Sequence, residues 1–203
     1  MYVTNFDKEF EEIVNNLHGK KKLLLHSCCA PCSSSVLERL KDNFDVTVFY
    51  YNPNIAPFSE FERRLKEQIK LLEKLKISYI IGEYKHEDFL NAIKGFESYP
   101  EGSLRCRHCY YFRMKELARL AKDRSFDYFT TTLSVSPHKN AQWINEIGKE
   151  LEKEFDVKFL TSDFKKKNGY LRSLQLSQEY GLYRQEYCGC MPRKKGDNEA
   201  SSN

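Results

Sequence analysis

The stretch KLLLHSCCAPCSSS, residues 22–35, decides the reading of this chain. Three consecutive leucines, Leu23 to Leu25, form a short apolar run of the length a buried strand needs. Behind it come Cys28 and Cys29, then Pro31, Cys32 and the serines Ser33 to Ser35, a composition that starts helices. A strand that ends in a sulfur-rich turn and passes directly into a helix is the opening unit of an α/β fold.

The rest of the chain repeats this alternation. Val46, Val48, Phe49 and Tyr50 read as a second strand, and further strands are predicted at 79–81, 128–133 and 157–160. Between the second and third, Phe58, Phe61, Leu65, Ile69, Leu72 and Leu75 recur at steps of three or four, the period of an amphipathic helix. More helices are expected after Glu87, after Cys109 and from about Ala141 to Phe155. The pattern predicts an α/β protein, a single domain over 1–192 with a mainly parallel sheet flanked by helices. From 193 to 203 the sequence is charged, small and polar without apolar periodicity, and is expected to form a disordered tail. Ligands of open parallel sheets gather beyond the carboxyl ends of the strands. The distinctive segments fall there: HSCCAPCSSS after the first strand, YNPNI after the second, TTLSVSPHKN after the fourth and SDFKKKNG after the fifth.

With 203 residues, 40% hydrophobic and 31% charged, the chain suits one globular domain. No stretch approaches the roughly 18 apolar residues of a membrane helix, and residues 1–16 lack the basic start and apolar run of a signal peptide. The expected location is the cytoplasm, with no membrane partner. A net charge of +4 is too mild to name a nucleic-acid partner by itself.

Seven cysteines are many for a cytosolic chain, and an odd number cannot all pair internally. They fall into three groups: Cys28, Cys29 and Cys32; Cys106 and Cys109; Cys188 and Cys190. In a reducing compartment such clusters bind metal or do redox chemistry. A Cys-x-x-Cys pair turns two thiolates toward one metal from a tight turn, and two such groups complete a four-thiolate site that suits either zinc or an iron-sulfur cubane. Zinc ribbons place their two knuckles roughly 15 to 20 residues apart. Here two strands and at least two helices separate Cys29 from Cys106, so the metal belongs to the domain architecture. Seven thiols exceed one four-ligand site and leave some for a second metal, an open coordination position or thiol chemistry. Buried, unligated thiols are the plainer alternative.

At these residues the sequence resembles the QueH family of epoxyqueuosine reductases, over about 22–192. The matching strings are LLLHSCCAPCSS, YYNPNI, RCRHCYYFRM, FTTTLSVSPHKN, DFKKKNGY and LYRQEYCGC, in that order. The resemblance implies a fold related to the nucleotide alpha-hydrolase and PP-loop group (HUP, Rossmann-like). It also implies reductive removal of the epoxide oxygen of epoxyqueuosine at the tRNA wobble position, giving queuosine without cobalamin. The implied cofactors are a [4Fe-4S] cluster and an additional iron, and the partners are tRNA bearing epoxyqueuosine and an unidentified electron donor. Sulfonucleotide reductases are similar in joining adjacent cysteines to a Cys-x-x-Cys, which points to Cys28, Cys29, Cys106 and Cys109 as cluster ligands. Cys188 and Cys190 are then candidates for the adjacent iron, with Asp163 as an oxygen ligand, or for a redox dithiol. Cys32 is a spare ligand or a packed thiol.

Turning an epoxide into an alkene takes two electrons and two protons and releases water. The site therefore needs an electron carrier, a Lewis acid for the departing oxygen and a proton donor. His26, His108 and His138 are candidate proton donors, although a lone histidine is more often a satisfied core residue. Lys139, Lys165, Lys166, Lys167, Arg172 and Arg184 are candidates for tRNA phosphates, and Tyr170, Tyr183 and Tyr187 for stacking on an unpaired base. Two rival functions remain at this level. A PP-loop-like tRNA thiolase would need ATP, and HSCCAPCSSS contains no glycine with which to build a phosphate loop. A noncatalytic RNA-binding module would carry structural zinc.

Overall fold

The computed structural model describes residues 4–190. The expected tail at 193–203, and the end of the domain at 192, lie outside the described residues. Five strands form one parallel sheet: β1 (Lys21–Ser27), β2 (Phe44–Tyr50), β3 (Ser78–Ile81), β4 (Tyr128–Thr131) and β5 (Lys158–Phe159), in the order β3-β2-β1-β4-β5. The helices are α1 (Phe6–Asn15), α2 (Ala30–Leu40), α3 (Phe58–Leu75), α4 (His86–Ala92), α5 (Leu104–Asp123), α6 (Ala141–Phe155) and α7 (Gly169–Glu179).

The leucine run explains why β1 is central. Leu23, Leu24 and Leu25 are fully buried and alternate between faces. Leu24 joins Phe49 and Phe129 beneath Met114 and Leu117 of α5 and Ile144, Ile147 and Leu151 of α6. Leu23 and Leu25 join Val46 and Val48 beneath Val36, Leu37 and Leu40 of α2, Leu72 of α3 and Phe10 of α1. A strand apolar on both sides must have neighbours on both edges and helices on both faces. Leu23 accordingly pairs with Val46 on one side and with Tyr128 on the other. Each buried leucine contributes roughly 1.5–3 kcal/mol.

The predicted strands and helices are present with four adjustments. The fourth strand stops at Thr131 and becomes a 3-10 turn, Thr132–Val135. Cys106 and Cys109 lie inside the first turns of α5, not in a tight turn ahead of a helix. Helices α1 and α7 add to the predicted set. The fifth strand shrinks to two residues where α6 crosses it so closely that a Cβ on Gly148 would stand 2.3 Å from the Phe159 ring. Helix α6 begins where the Asn140 side chain accepts from the Trp143 N–H at 3.1 Å, an N-cap that satisfies an otherwise free donor. No helix among the described residues is long and apolar enough to cross a membrane.

Candidate active site

The strand order reverses between β1 and β4, so their carboxyl ends part and leave a crevice. Cys28 follows the last residue of β1 and Thr132 the last residue of β4. The Cys28 N–H donates to Thr132 Oγ1 at 3.2 Å, and the Thr132 hydroxyl donates to Cys28 Sγ at 3.4 Å. A cavity of about 600 Å³ opens beside them. Cys28 and Cys32 form part of its wall. Asn52 and Asn54 reach it from the loop after β2, and Ser136, His138 and Lys139 from the loop after β4. Tyr170 of α7 and the segment 184–188 complete it.

Cys28, Cys29 and Cys32 bring their Sγ atoms within 4.8 Å of one another. Local structure gives the reason: Cys29 caps α2, Pro31 fixes its first turn, and Cys32 stands on that turn. The Cys28 and Cys29 sulfurs are 3.8 Å apart. The hydrogen bond from Cys29 holds the Cys28 thiol well below its ordinary range, helped by Cys32 and Thr132. The same contact pushes Cys29 up to about 12, and contact with Cys28 raises Cys32. Two thiol donors and a helix N-terminus beside Cys28 thus favour negative charge on its sulfur.

A second thiol group faces it. Cys109 of α5 packs with Phe89 of α4 and Ile93 just after it, and Cys190 lies against them. The hydrogen bond from Cys190 lowers Cys188, as do the charges of Lys139 and Arg113, while Cys190 is raised. Lys139 Nζ stands 3.4 Å from Cys188 Sγ and 2.6 Å from Glu101 Oε1. Cys106, one turn before Cys109 on the buried face of α5, accepts from the Gly102 N–H at 3.3 Å.

The C-terminal segment is fixed from α3. Arg64 donates to the carbonyls of Cys188 (3.0 Å) and Tyr187 (3.2 Å), and its Nε to Glu60 Oε1 at 2.7 Å. Tyr183 donates to the same carboxylate at 3.2 Å. Gly189, at φ +97°, carries its carbonyl to the Ala56 N–H at 2.9 Å, and a Cβ there would meet the Arg64 guanidinium at 3.2 Å. Arg113 is 2% exposed and donates to Asn52 Oδ1 at 3.2 Å, while Asn52 donates to the Ser27 carbonyl at 2.8 Å. Its charge therefore stands between the two thiol groups and acts on Cys28, Cys109 and Cys188.

These features fit a thiolate-held metal. The donors are clustered sulfurs, none of the seven is in a disulfide, and Arg105 and Arg113 are buried without a carboxylate partner among the described residues. Buried guanidinium groups demand negative charge nearby, which thiolates supply.

Of the residues singled out by sequence, His138 and Lys139 line the cavity, with Arg184 and Cys188. Arg184 also donates to Ser177 Oγ at 3.0 Å. Asp163 is ion-paired with Lys165 at 2.8 Å and does not line the cavity. Arg172 makes a forked pair with Glu38, Lys167 pairs with Glu11, and Lys166 is exposed, so these cations stand apart from the cavity wall. His26 is a core residue: its Nε2–H donates to the Tyr51 carbonyl at 3.1 Å and its Nδ1 accepts from Thr131 Oγ1 at 2.8 Å. Burial lowers it to about 3, so it stays neutral. His108 stacks on Phe96 with ring centroids 4.3 Å apart. Sequence reasoning missed Arg64 and Arg113. Arg113 had a signal, since it follows Cys109 by one helical turn; Arg64 reaches the C-terminal segment only through the tertiary fold.

A family model described as "Epoxyqueuosine reductase QueH" matches residues 23–195. Among its relatives, "Epoxyqueuosine reductase QueH" of Staphylococcus epidermidis (strain ATCC 12228 / FDA PCI 1200) is 40% identical over 198 residues, covering 92% of this chain and 83% of that one. The protein of the same name from Streptococcus pyogenes serotype M1 is 39% identical over 196 residues, covering 92% and 77%. A solved structure, "U34-tRNA thiolase NcsA from Methanococcus maripaludis with its [4Fe-4S] cluster", superposes with a TM-score of 0.51 at 18% identity, covering 89% of this chain and 65% of that one. That likeness bears out the PP-loop-type fold. The length of the family match and the identity of the relatives leave no ambiguity of kinship: the chain belongs to the QueH family of epoxyqueuosine reductases.

Proposed function

We propose that this protein deoxygenates epoxyqueuosine at the wobble position of tRNA in the cytoplasm, giving queuosine and water without cobalamin. A [4Fe-4S] cluster and an adjacent iron would be held by its cysteines. The observation that carries the metal part of this reading is the gathering of the Cys28, Cys29 and Cys32 sulfurs within 4.8 Å beside the cavity. The carbon-oxygen chemistry rests on family membership.

The sequence-based split gives Cys28, Cys29, Cys106 and Cys109 to the cluster and Cys188, Cys190 and Asp163 to the iron. We favour a split along the two thiol groups, with Cys28, Cys29 and Cys32 at one centre and Cys109, Cys188 and Cys190 at the other. Two facts support it: Cys32 joins the first group, and Asp163 is occupied by Lys165 away from the cavity. When bound, the metals supply single electrons and a Lewis acid for oxygen.

The chain's own groups do the rest. Tyr170 and Tyr187 line the cavity where a splayed base would stack. His138 at the exposed mouth and Lys139, 3.4 Å from Cys188 Sγ, line the cavity and are the candidates to deliver the two protons that leave as water. Arg184 in the cavity wall, and Lys165, Lys166, Lys167 and Arg172 outside it, would serve as phosphate contacts. An external electron donor completes the reaction.

Counting iron and labile sulfide per chain after anaerobic reconstitution tests the metal assignment. Wild type should hold more than four irons with sulfide, and serine variants of Cys32 and Cys190 should each lose part of the iron. Full iron in the Cys32 variant, with loss in the Cys106 variant, would restore the sequence-based split. A zinc-loaded, sulfide-free protein would overturn the cluster reading.

A further inference from the structure

Helix α5 presents Arg105, Cys109 and Arg113 at steps of four, so they share one stripe of its surface. Arg113 has acceptors for its guanidinium. Arg105 does not. It is 2% exposed, and its one hydrogen bond runs from NH1 to the Glu97 carbonyl at 3.1 Å. Its Nε and NH2 are buried with no acceptor, and no carboxylate lies within ion-pair distance among the described residues. A guanidinium cannot shed its proton to escape this position. Nor does Arg105 line the cavity, so a solvent-borne anion does not reach it from there. Cys109 follows it by one turn on the same stripe, and Cys190 packs against the cluster of Phe89, Ile93 and Cys109; contact with Cys188 and burial raise Cys190, and the Arg105 charge acts against that rise.

We propose that Arg105 is the counter-charge of the anionic centre formed on Cys109, Cys188 and Cys190, a positioning residue that retains that centre and favours its reduced state. The inference rests on the metal reading above. In the metal-free protein Arg105 is a buried cation with no carboxylate partner among the described residues and no acceptor for its Nε and NH2. With Cys109, Cys188 and Cys190 all thiolates on a metal, the same cation would face net negative charge in a medium that screens little. Its contribution to stability therefore changes sign between the metal-free and loaded forms, which no merely structural hydrogen bond would do.

Methionine keeps the apolar stem of Arg105 without the charge, and lysine keeps the charge without the fork. Wild type, R105M and R105K are compared metal-free and reconstituted under anaerobic conditions, by thermal unfolding, by iron release to a chelator and by redox titration of the visible and EPR signals. Metal-free R105M should unfold no lower than wild type. Loaded R105M should unfold lower, release iron at least tenfold faster, and have its reduction equilibrium moved at least tenfold toward the oxidised form, about 59 mV for one electron. R105K should recover most of each change. R105M that is destabilised equally in both forms, with unchanged iron release and potential, overturns the proposal while leaving the metal reading intact. Wild type that takes up no iron overturns both.

Discussion

Replacing Arg64 by methionine should detach the segment that carries Cys188 and Cys190. Two of its hydrogen bonds, at 3.0 and 3.2 Å, run from a buried guanidinium to the carbonyls of Cys188 and Tyr187. Bonds of this kind contribute roughly 1.5–3 kcal/mol each. Taking the low end for both gives about 3 kcal/mol, and with about 1.4 kcal/mol per factor of ten the open segment becomes roughly 100-fold more populated. Glu60, left without its partner, adds to the effect, because breaking a buried ion pair costs roughly 3–5 kcal/mol. The assay is alkylation of the metal-free protein, mapped by mass spectrometry, with reagent dilute enough that opening equilibrates before each reaction. Cys188 and Cys190 should react about two orders of magnitude faster than in wild type, while Cys29, 1% exposed at the start of α2, keeps its rate. Arg64→Lys should recover less than half of the protection, since lysine cannot reach both carbonyls and Glu60 at once. Alkylation of Cys188 within about threefold of wild type, well short of the 100-fold expected, would refute the tether.

Three further outcomes are expected. His26 has its native pKa lowered to about 3 by burial, against an ordinary 6.5. The unfolded chain therefore takes up this proton first as pH falls, and the neutral histidine's stabilisation, complete above about 6.5, is lost progressively toward 3, on the order of 5 kcal/mol. Urea midpoints of metal-free wild type should fall across that window more steeply than those of His26→Gln, and equal slopes would remove His26 as the cause. Gly189→Ala, at φ +97° and against Arg64, should cost about 1–2 kcal/mol and raise the alkylation of Cys188 above that of wild type; an unaltered melting temperature would contradict the backbone argument. Neutralising Lys165, Lys166 and Lys167 together should weaken tRNA binding about uniformly across sequences and reduce its salt slope. Affinity that does not change with salt or mutation would exclude this face from docking.

The architecture was legible because β1 is apolar on both sides, which only a central strand covered by two helix layers can satisfy. The helix at Ala141–Phe155 was equally plain from its period. Helix α7 was not, because its apolar residues Leu171, Leu174 and Leu176 are few and Leu171 faces solvent. The Cys-x-x-Cys spacing at 106–109 suits a tight turn, but it equally puts both sulfurs on one face of a helix, as in α5. Cys32 illustrates the same limit from the other side: its step of three from Cys29 is visible in sequence, but its approach to Cys28 depends on how α2 leaves the strand. The tether from Arg64 spans over a hundred residues of chain, and no local pattern announces it. Asp163 shows the converse, a residue placed by sequence at a strand end whose carboxylate the fold commits to a neighbouring lysine.

The central claim is that the thiol-lined cavity at the β1–β4 crevice deoxygenates a modified wobble base. Its most direct test is to incubate the anaerobically reconstituted protein with a strong reductant and tRNA bearing epoxyqueuosine, then to analyse the nucleosides by mass spectrometry. The account predicts a nucleoside lighter by one oxygen, formed by wild type and abolished when Cys28 is replaced by serine. Intact epoxyqueuosine after incubation with fully metal-loaded protein would contradict it.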